Sequence, residues 1–172
     1  MSELVRRALD AAGLLRVLTL RNNRVELEGM RAEVEKADWI LLGALANVIR
    51  AVEVGDRVRV SANASVAVTQ SDLRGLAFLR SISLARIFSA PGATIGVDFE
   101  QVGLELAQVA LSFGANELCG EMRNKRGATI AEDELGGVGR RSKRLPLATI
   151  KKRELTDVLA AAGRTVEFVE AR

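Results

Sequence analysis

Residues 94–122, with the sequence TIGVDFEQVGLELAQVALSFGANELCGEM, contain the succession of elements that decides the fold class. Residues 94–98 form a short run rich in β-branched side chains, which is typical of a strand. Residues 99–113 carry apolar side chains at helical spacing, and Gly114 is the kind of residue that ends a helix. Residues 115–122 predict a second strand or the loop at a strand end. Helices that alternate with short strands in this way predict an α/β fold.

The amino-terminal part of the chain predicts a helix followed by a β-hairpin. Residues 2–12 place apolar side chains on one stripe, and Gly13 ends the predicted helix. Residues 15–20 and 24–28 flank Arg21-Asn22-Asn23. The second run alternates polar and apolar residues, and asparagine tolerates the positive φ of a tight turn. We therefore expect an N-terminal helix and a β-hairpin before the rest of the domain.

The remaining segments continue the alternation of helices and strands. Residues 31–54 predict the strongest helix, on which Trp39 is expected to pack into the core. A chain of this length can bury a sizeable core, so we expect one α/β domain over residues 1–172. The other predicted elements are strands at residues 57–60 and 65–69, a helix at residues 71–89 with Ser71-Asp72 as its N-cap, a helix at residues 151–162 and a strand at residues 164–169.

The composition excludes several classes of site. The chain has no His and one Cys, Cys119. A Ser-His-Asp or Cys-His catalytic site, a His-ligated metal and an iron–sulfur cluster held by this chain alone are therefore excluded. We expect no bound metal and no cofactor, and we name no residue as catalytic. We expect Cys119 to be a buried, unreactive thiol. Carboxylate, Lys or Arg chemistry remains open.

A basic segment is set within an otherwise slightly acidic chain. Residues 123–153 contain ten Lys or Arg against three Asp or Glu, and residues 123–146 form a predicted basic, Gly-rich loop. Nucleic acid is not the expected ligand, because no aromatic residues for base stacking interleave with these charges. A run of glycines before a set of cations is a weak anion-binding pattern, and the candidate residues are Arg140, Arg141, Lys143 and Arg144.

Three groups of residues carry a resemblance to a known family. The first is ADWILLGALAN at residues 37–47 with GDRV at residues 55–58. The second comprises LRSISLAR at residues 79–86 and GLELAQVALSFGANEL at residues 103–118, and the third joins REL and AGR within residues 153–164. Over about half of the chain, these residues resemble the N- and C-terminal parts of the radical S-adenosylmethionine enzymes of the futalosine menaquinone pathway, aminofutalosine synthase and dehypoxanthine futalosine cyclase, and of the deazaflavin cofactor synthases.

The chain departs from this family in the part that carries the family's chemistry. The family has a Cys-x3-Cys-x2-Cys loop after its first barrel strand, whereas residues 57–60 are followed here by Ser61-Ala62-Asn63-Ala64-Ser65. The middle barrel strands are also missing, and Glu117 stands where the family has Asp. The resemblance therefore implies a shortened, partial-barrel-like α/β arrangement. Because a few strands cannot close a barrel, we expect a homodimer or a hetero-complex that covers an exposed sheet edge or helix face.

The candidate ligand-binding residues are polar residues at or just after predicted strand ends, where barrel-derived folds carry ligand contacts. They are Asp98, Asn116, Glu117 and Glu121. The resemblance implies that residues 114–117 lie where the family lines its substrate cavity. The alternative is that residues 114–116 form a helix end and a tight turn that serve packing only.

These observations lead us to expect a non-catalytic binding or accessory protein derived from a radical S-adenosylmethionine enzyme, with a small anionic ligand. Two alternatives stay open: a small enzyme that uses Asp98, Glu117 or Glu121 as acid or base, and a protein that binds anions or nucleic acid through residues 123–153. Residues 1–7 lack a signal-peptide pattern, and no apolar run is long enough to span a bilayer. With a single Cys, this predicts a cytoplasmic protein without membrane contact.

Overall fold

One parallel sheet organises the part of the chain that a computed structural model describes, which comprises residues 1–61, 75–120 and 152–169. Its strands are β1 (Arg57–Ser61), β2 (Gly96–Asp98), β3 (Glu117–Cys119) and β4 (Thr165–Val169). The strand order is β2-β3-β1-β4, and each neighbouring pair is parallel. The predicted α/β class is confirmed.

The helices before the sheet are α1 (Glu3–Ala11), α2 (Arg16–Leu20), α3 (Arg24–Gly29), α4 (Arg31–Val34) and α5 (Trp39–Val54). The helices between the strands are α6 (Gly75–Phe88), which follows β1, α7 (Phe99–Val102) and α8 (Leu104–Leu111), which follow β2, and α9 (Lys152–Ala161), which precedes β4. In the described residues, no helix is both long and apolar enough to cross a membrane.

The order of the strands differs from their order along the chain, because β1 lies between β3 and β4. In a barrel of parallel strands, each strand pairs with the next, and the last strand closes the barrel on the first. The series β2-β3-β1 is therefore the order that the last two strands and the first strand of a barrel would have. Within the described residues the sheet is open, and it ends at β2 on one side and at β4 on the other.

The two faces of the sheet differ in chemistry, because side chains alternate along each strand. One face carries Val58 and Val60 of β1, Val97 of β2 and Leu118 of β3, and it packs against α6, α8 and α9 in an apolar core. We call the opposite surface the polar face. By the strand register, it comprises Arg57, Arg59, Ser61, Gly96, Asp98, Glu117, Cys119, Thr165, Glu167 and Val169.

A second core lies on the far side of α6 from the sheet and is built by the amino-terminal helices. Buried residues of α1 to α5 meet the end of α6 there, including Leu9, Val17, Leu45 and Ile87. Trp39 at the start of α5 is partly buried and stacks on Phe113, with ring centroids 5.9 Å apart. This core joins the amino-terminal helices to the sheet through α6.

The predicted β-hairpin is wrong, since residues 16–20 and 24–29 are the helices α2 and α3. Asn23 is a helix cap and not a turn residue: its Oδ1 accepts the backbone N–H of Glu26, at 3.4 Å, and its Nδ2 donates to Glu26 Oε1, at 2.5 Å. The alternation that favoured a strand does not mark one face, because Val25 is 84% exposed and Leu27 only 2%.

The long helix predicted at residues 31–54 is interrupted. It consists of α4 and α5, separated by residues 35–38, and Asp38 starts α5 by accepting the backbone N–H of Ile40 on its Oδ1, at 2.8 Å. The helix predicted at residues 99–113 is likewise divided at Gly103 into α7 and α8. The strand predicted at residues 65–69 and the N-cap at residues 71–72 lie outside the described residues.

Gly114 lies between α8 and β3, where the backbone packs closely against side chains of α5 and α6. Its replacement tests how much this packing contributes to stability. Its φ is +105°, and a Cβ added there would lie 2.8 Å from Arg86 Cβ and 3.0 Å from Ala46 Cβ. We expect Gly114→Ala to lower the free energy of unfolding by roughly 2–4 kcal/mol, through backbone strain plus overpacking. Gly13→Ala is the control, because Gly13 has a φ of +70° but open space around it, so only about 1 kcal/mol should be lost. Urea unfolding measures both, and equal losses would contradict the packing argument.

Candidate ligand-binding site

A row of charged residues crosses the polar face of the sheet. Arg59 of β1 is in register with Glu117 of β3 on one side and with Glu167 of β4 on the other. Strands of parallel sheets are normally apolar on both faces, because helices cover both. A charged row at the centre of such a sheet therefore indicates that this face serves something other than the hydrophobic core.

Glu117 is the most buried member of this row, with no exposed surface. Its Oε1 accepts the hydroxyl of Ser61 at 3.4 Å, so the carboxylate is held towards the carboxyl end of β1. Burial of a carboxylate is costly unless it is hydrogen-bonded. The Ser61 hydroxyl therefore offsets part of the cost of burying Glu117.

A cleft of about 340 Å³ opens where the polar face meets the amino ends of the strands. Arg57 and Arg59 at the start of β1 line it, together with Glu167 of β4. Thr94 and Asn116, which shortly precede β2 and β3, form another part of the wall, and Glu53 near the end of α5 completes it. The volume is at the small end of the range of ligand pockets.

Asn116 is fixed rigidly in this wall. Its Oδ1 accepts two donors, Arg86 Nη2 at 2.6 Å and the backbone N–H of Ile95 at 2.7 Å. Both partners are donors only, which assigns the amide orientation without ambiguity. Asn116 is 4% exposed, and its Nδ2 makes no hydrogen bond with the residues that the structure describes.

Arg86 of α6 supports the site from behind. It is fully buried and also donates to the carbonyl oxygens of Gly114, at 2.8 Å, and Ala93, at 2.7 Å. Burial lowers the pKa of the Arg86 guanidinium to about 10, an effect that the nearby Glu53 carboxylate opposes. The group therefore stays cationic at neutral pH, and it holds both sides of the turn that precedes β3.

Glu53 is held between two buried arginines. Its Oε1 accepts Arg21 Nε at 2.7 Å, and its Oε2 accepts the backbone N–H of Gly92 at 3.0 Å. Arg86 Nη1 lies 3.9 Å from the same Oε2. The negative charge of Glu53 is thus already balanced on the side away from the cleft.

The sequence-predicted site residues do not all come together. Asn116 and Glu117 are adjacent, one in the cleft wall and the other on the polar face. Asp98 is at the carboxyl end of β2, where its Oδ1 accepts the N–H groups of Glu100 and Gln101 and so caps α7. Asp98 therefore lies at the opposite end of the strands from the cleft. Glu121, Arg140, Arg141, Lys143 and Arg144 lie outside the described residues.

Several residues of the site were missed by sequence reasoning. The run Arg57-Val58-Arg59-Val60 held a usable signal, because its alternation places both arginines on one face of a strand. Glu53, Arg86 and Thr94 gave no such signal, since they reach the site from separate elements.

Cys119 is a buried thiol on the polar face, and its burial confirms that part of the prediction. It is 2% exposed, and burial raises its pKa to about 12, helped by the carboxylates of Asp98, Glu117 and Glu100. A radical-generating iron–sulfur cluster needs three thiolates, and the chain has this one Cys, so its residues do not fit that cluster. Across residues 1–61, 75–120 and 152–169, no group of three His, Cys, Asp or Glu is placed to hold a metal ion.

No protein-family model, curated protein or solved structure matches this chain. The kinship with radical S-adenosylmethionine enzymes therefore stays a prediction from the sequence.

Replacement of Arg86 tests whether the cleft wall depends on this buried cation. We expect Arg86→Met to lower the free energy of unfolding by roughly 3–5 kcal/mol, because three acceptors and Glu53 lose a buried donor. Arg153→Met is the control, since Arg153 is exposed on α9 and pairs with Asp157 there; its loss should stay within about 0.5 kcal/mol. Chemical unfolding measures both variants, and a small loss for Arg86→Met would show that the network is dispensable.

The reactivity of Cys119 tests its burial and its raised pKa. At about pH 8, a folded thiol with a pKa of about 12 is almost wholly protonated, whereas in the unfolded chain about a quarter is thiolate. We expect an aromatic disulfide reagent to label the native protein at least about a hundred times more slowly than the denatured protein. Absorbance of the released thiolate reports the rate, and fast labelling of the native chain would contradict this environment.

Proposed function

We propose that this chain is a non-catalytic binding protein that holds a small polar ligand at the polar face of its sheet. The observation that carries the proposal is the row Glu167, Arg59 and Glu117, which lies in register on the face turned away from α6, α8 and α9. The cleft gives a ligand access to Arg59 and Glu167 of this row, because both side chains line it.

We also propose that the protein derives from a radical S-adenosylmethionine enzyme. The resemblance of residues 37–47, 55–58, 79–86 and 103–118 motivates this part of the proposal, and the strand order β2-β3-β1 supports it. In a barrel wall, helices cover the outer face of the strands, and the inner face is enclosed by the other strands. The polar face would then correspond to the inner face of such a wall.

Binding is favoured over catalysis by the side chains available. The chain has no His, and the raised pKa of Cys119 keeps its sulfur from acting as a nucleophile at neutral pH. The alternative of a carboxylate-dependent enzyme would use Glu117 as the acid or base, with Ser61 beside it.

The proposal includes a cytoplasmic protein that associates with a second chain. Large apolar side chains are exposed on several helices, among them Ile40 on α5, Leu76 on α6 and Val109 on α8. Light scattering tests the association: a mass above that of the single chain at micromolar concentration supports it, and a clean monomer contradicts it.

The binding function is tested by thermal unfolding in the presence of single polar metabolites of different charge. A ligand that binds the folded state at about a hundred times its Kd stabilises it by about 2.7 kcal/mol, which raises Tm measurably. We expect at least one metabolite to raise Tm for the native chain and to lose this effect in Arg59→Gln, because Arg59 is the central member of the row and lines the cleft. Glu105→Gln, an exposed change on α8, is the control and should respond like the native chain.

Two outcomes contradict the proposal. One is that no metabolite raises Tm. The other is cleavage of S-adenosylmethionine by the purified chain after incubation with iron, sulfide and a reductant. Chemical turnover of a metabolite that is lost in Glu117→Gln would favour the carboxylate-dependent enzyme instead.

A further inference from the structure

We infer that the cleft binds one oxyanion, the carboxylate or phosphate group of a small hydroxylated molecule, through Arg59, Asn116 and Thr94. This inference rests on the proposed binding function and names the chemical class of the ligand. Its basis is the convergence, in a single cleft, of donors that the described residues leave unused.

Arg59 supplies the positive charge. It is in register between Glu117 and Glu167, yet neither carboxylate forms an ion pair with it within the described residues. Its one side-chain hydrogen bond there runs from Nη1 to Thr94 Oγ1, at 3.2 Å, so the guanidinium is turned towards the cleft. A guanidinium has five N–H donors, and most of these remain available to a planar oxyanion.

Asn116 supplies a preorganised neutral donor. Because its Oδ1 is held by Arg86 and by the backbone of Ile95, the Nδ2 group is the part of the side chain left for a ligand. The buried amide does not have to be ordered when the ligand arrives, so its hydrogen bond costs little conformational entropy. Thr94 accepts from Arg59, and its hydroxyl hydrogen can be donated to the same oxyanion.

The carboxylates of the cleft limit the ligand to one negative group. Glu53 is balanced by Arg21 and Arg86, and Glu167 lies 3.5 Å from Arg57, which leaves Arg59 as the cation without an acidic partner among the described residues. Oxygens of Glu53 and Glu167 can accept hydrogen bonds from hydroxyl groups on the rest of the ligand. A second acidic group would be repelled by them.

Three probe molecules separate the contribution of the negative group to binding from that of the hydroxyl groups: glycerol phosphate, glycerate and glycerol. The first two add a phosphate or a carboxylate to the same hydroxylated skeleton, and the third has no charge. We expect isothermal titration of the full chain to detect at least one of the two anions and to show binding at least about tenfold weaker for glycerol. The anion's affinity should fall as salt is raised.

Asn116→Asp is the decisive variant, because it keeps the acceptor for Arg86 and Ile95 while it replaces the Nδ2 donor with a negative oxygen. We expect its Tm to stay within a few degrees of the native value and its anion affinity to fall at least about tenfold. Arg59→Gln should cause a similar loss of affinity. Arg153→Gln, which removes a distant exposed arginine, is the control and should bind as the native chain does.

The results distinguish this inference from the proposed function. If neutral or cationic metabolites raise Tm and the anions do not bind, the oxyanion inference is wrong and the binding function stands. If the anions bind but Arg59→Gln and Asn116→Asp leave their affinity unchanged, this cleft is not their site. If no metabolite of any charge binds, both proposals are wrong.

Discussion

The described fold depends on one buried cation, Arg86, and on the amide that it fixes. Its guanidinium joins α6 to the residues before β2, through Ala93, and to the turn before β3, through Gly114 and Asn116. A charge in this position is tolerated only while its donors are satisfied, so the positions of the helix and of both strands are interdependent. Asn116 extends the linkage to the backbone of Ile95 and to the wall of the cleft. Structural support and the candidate site therefore share the same hydrogen bonds.

The α/β class could be predicted because residues 94–122 express it locally, with a β-branched run, a helical period and a glycine stop. The sequence pattern of residues 15–28 does not by itself rule out a β-hairpin. Asparagine suits both a tight turn and a helix cap, and a short alternating run such as residues 24–28 fits either element. The choice depended on which side chains the second core buries, and that is a property of the assembled helices and not of the segment.

The candidate site also contains some residues that the sequence predicts and others that it does not. The prediction of Asn116 and Glu117 rests on their place at a predicted strand end and on the family resemblance, and the structure brings Asn116 to the cleft. The partners that give these residues their roles come from other elements: Arg86 from α6, Glu53 from α5 and Arg59 from β1. A hydrogen bond between residues separated by dozens of positions leaves no local periodicity. For this reason the sequence indicated Asn116 and Glu117 as candidates but not the charged residues that surround them.

The central position of β1 has a consequence for how the chain folds. Both of its partners, β3 and β4, are synthesised long after it; Arg164, just before β4, bonds to Asp56, 108 residues earlier in the sequence. Pairings of such long sequence separation form slowly, and an unpaired strand with two valines is a template for association with other chains. Arg57 and Arg59 place two positive charges on β1, and like charges oppose the association of one unpaired strand with another. The same alternation that places both arginines in the cleft wall therefore also puts two like charges on β1 during the time before its partner strands are synthesised.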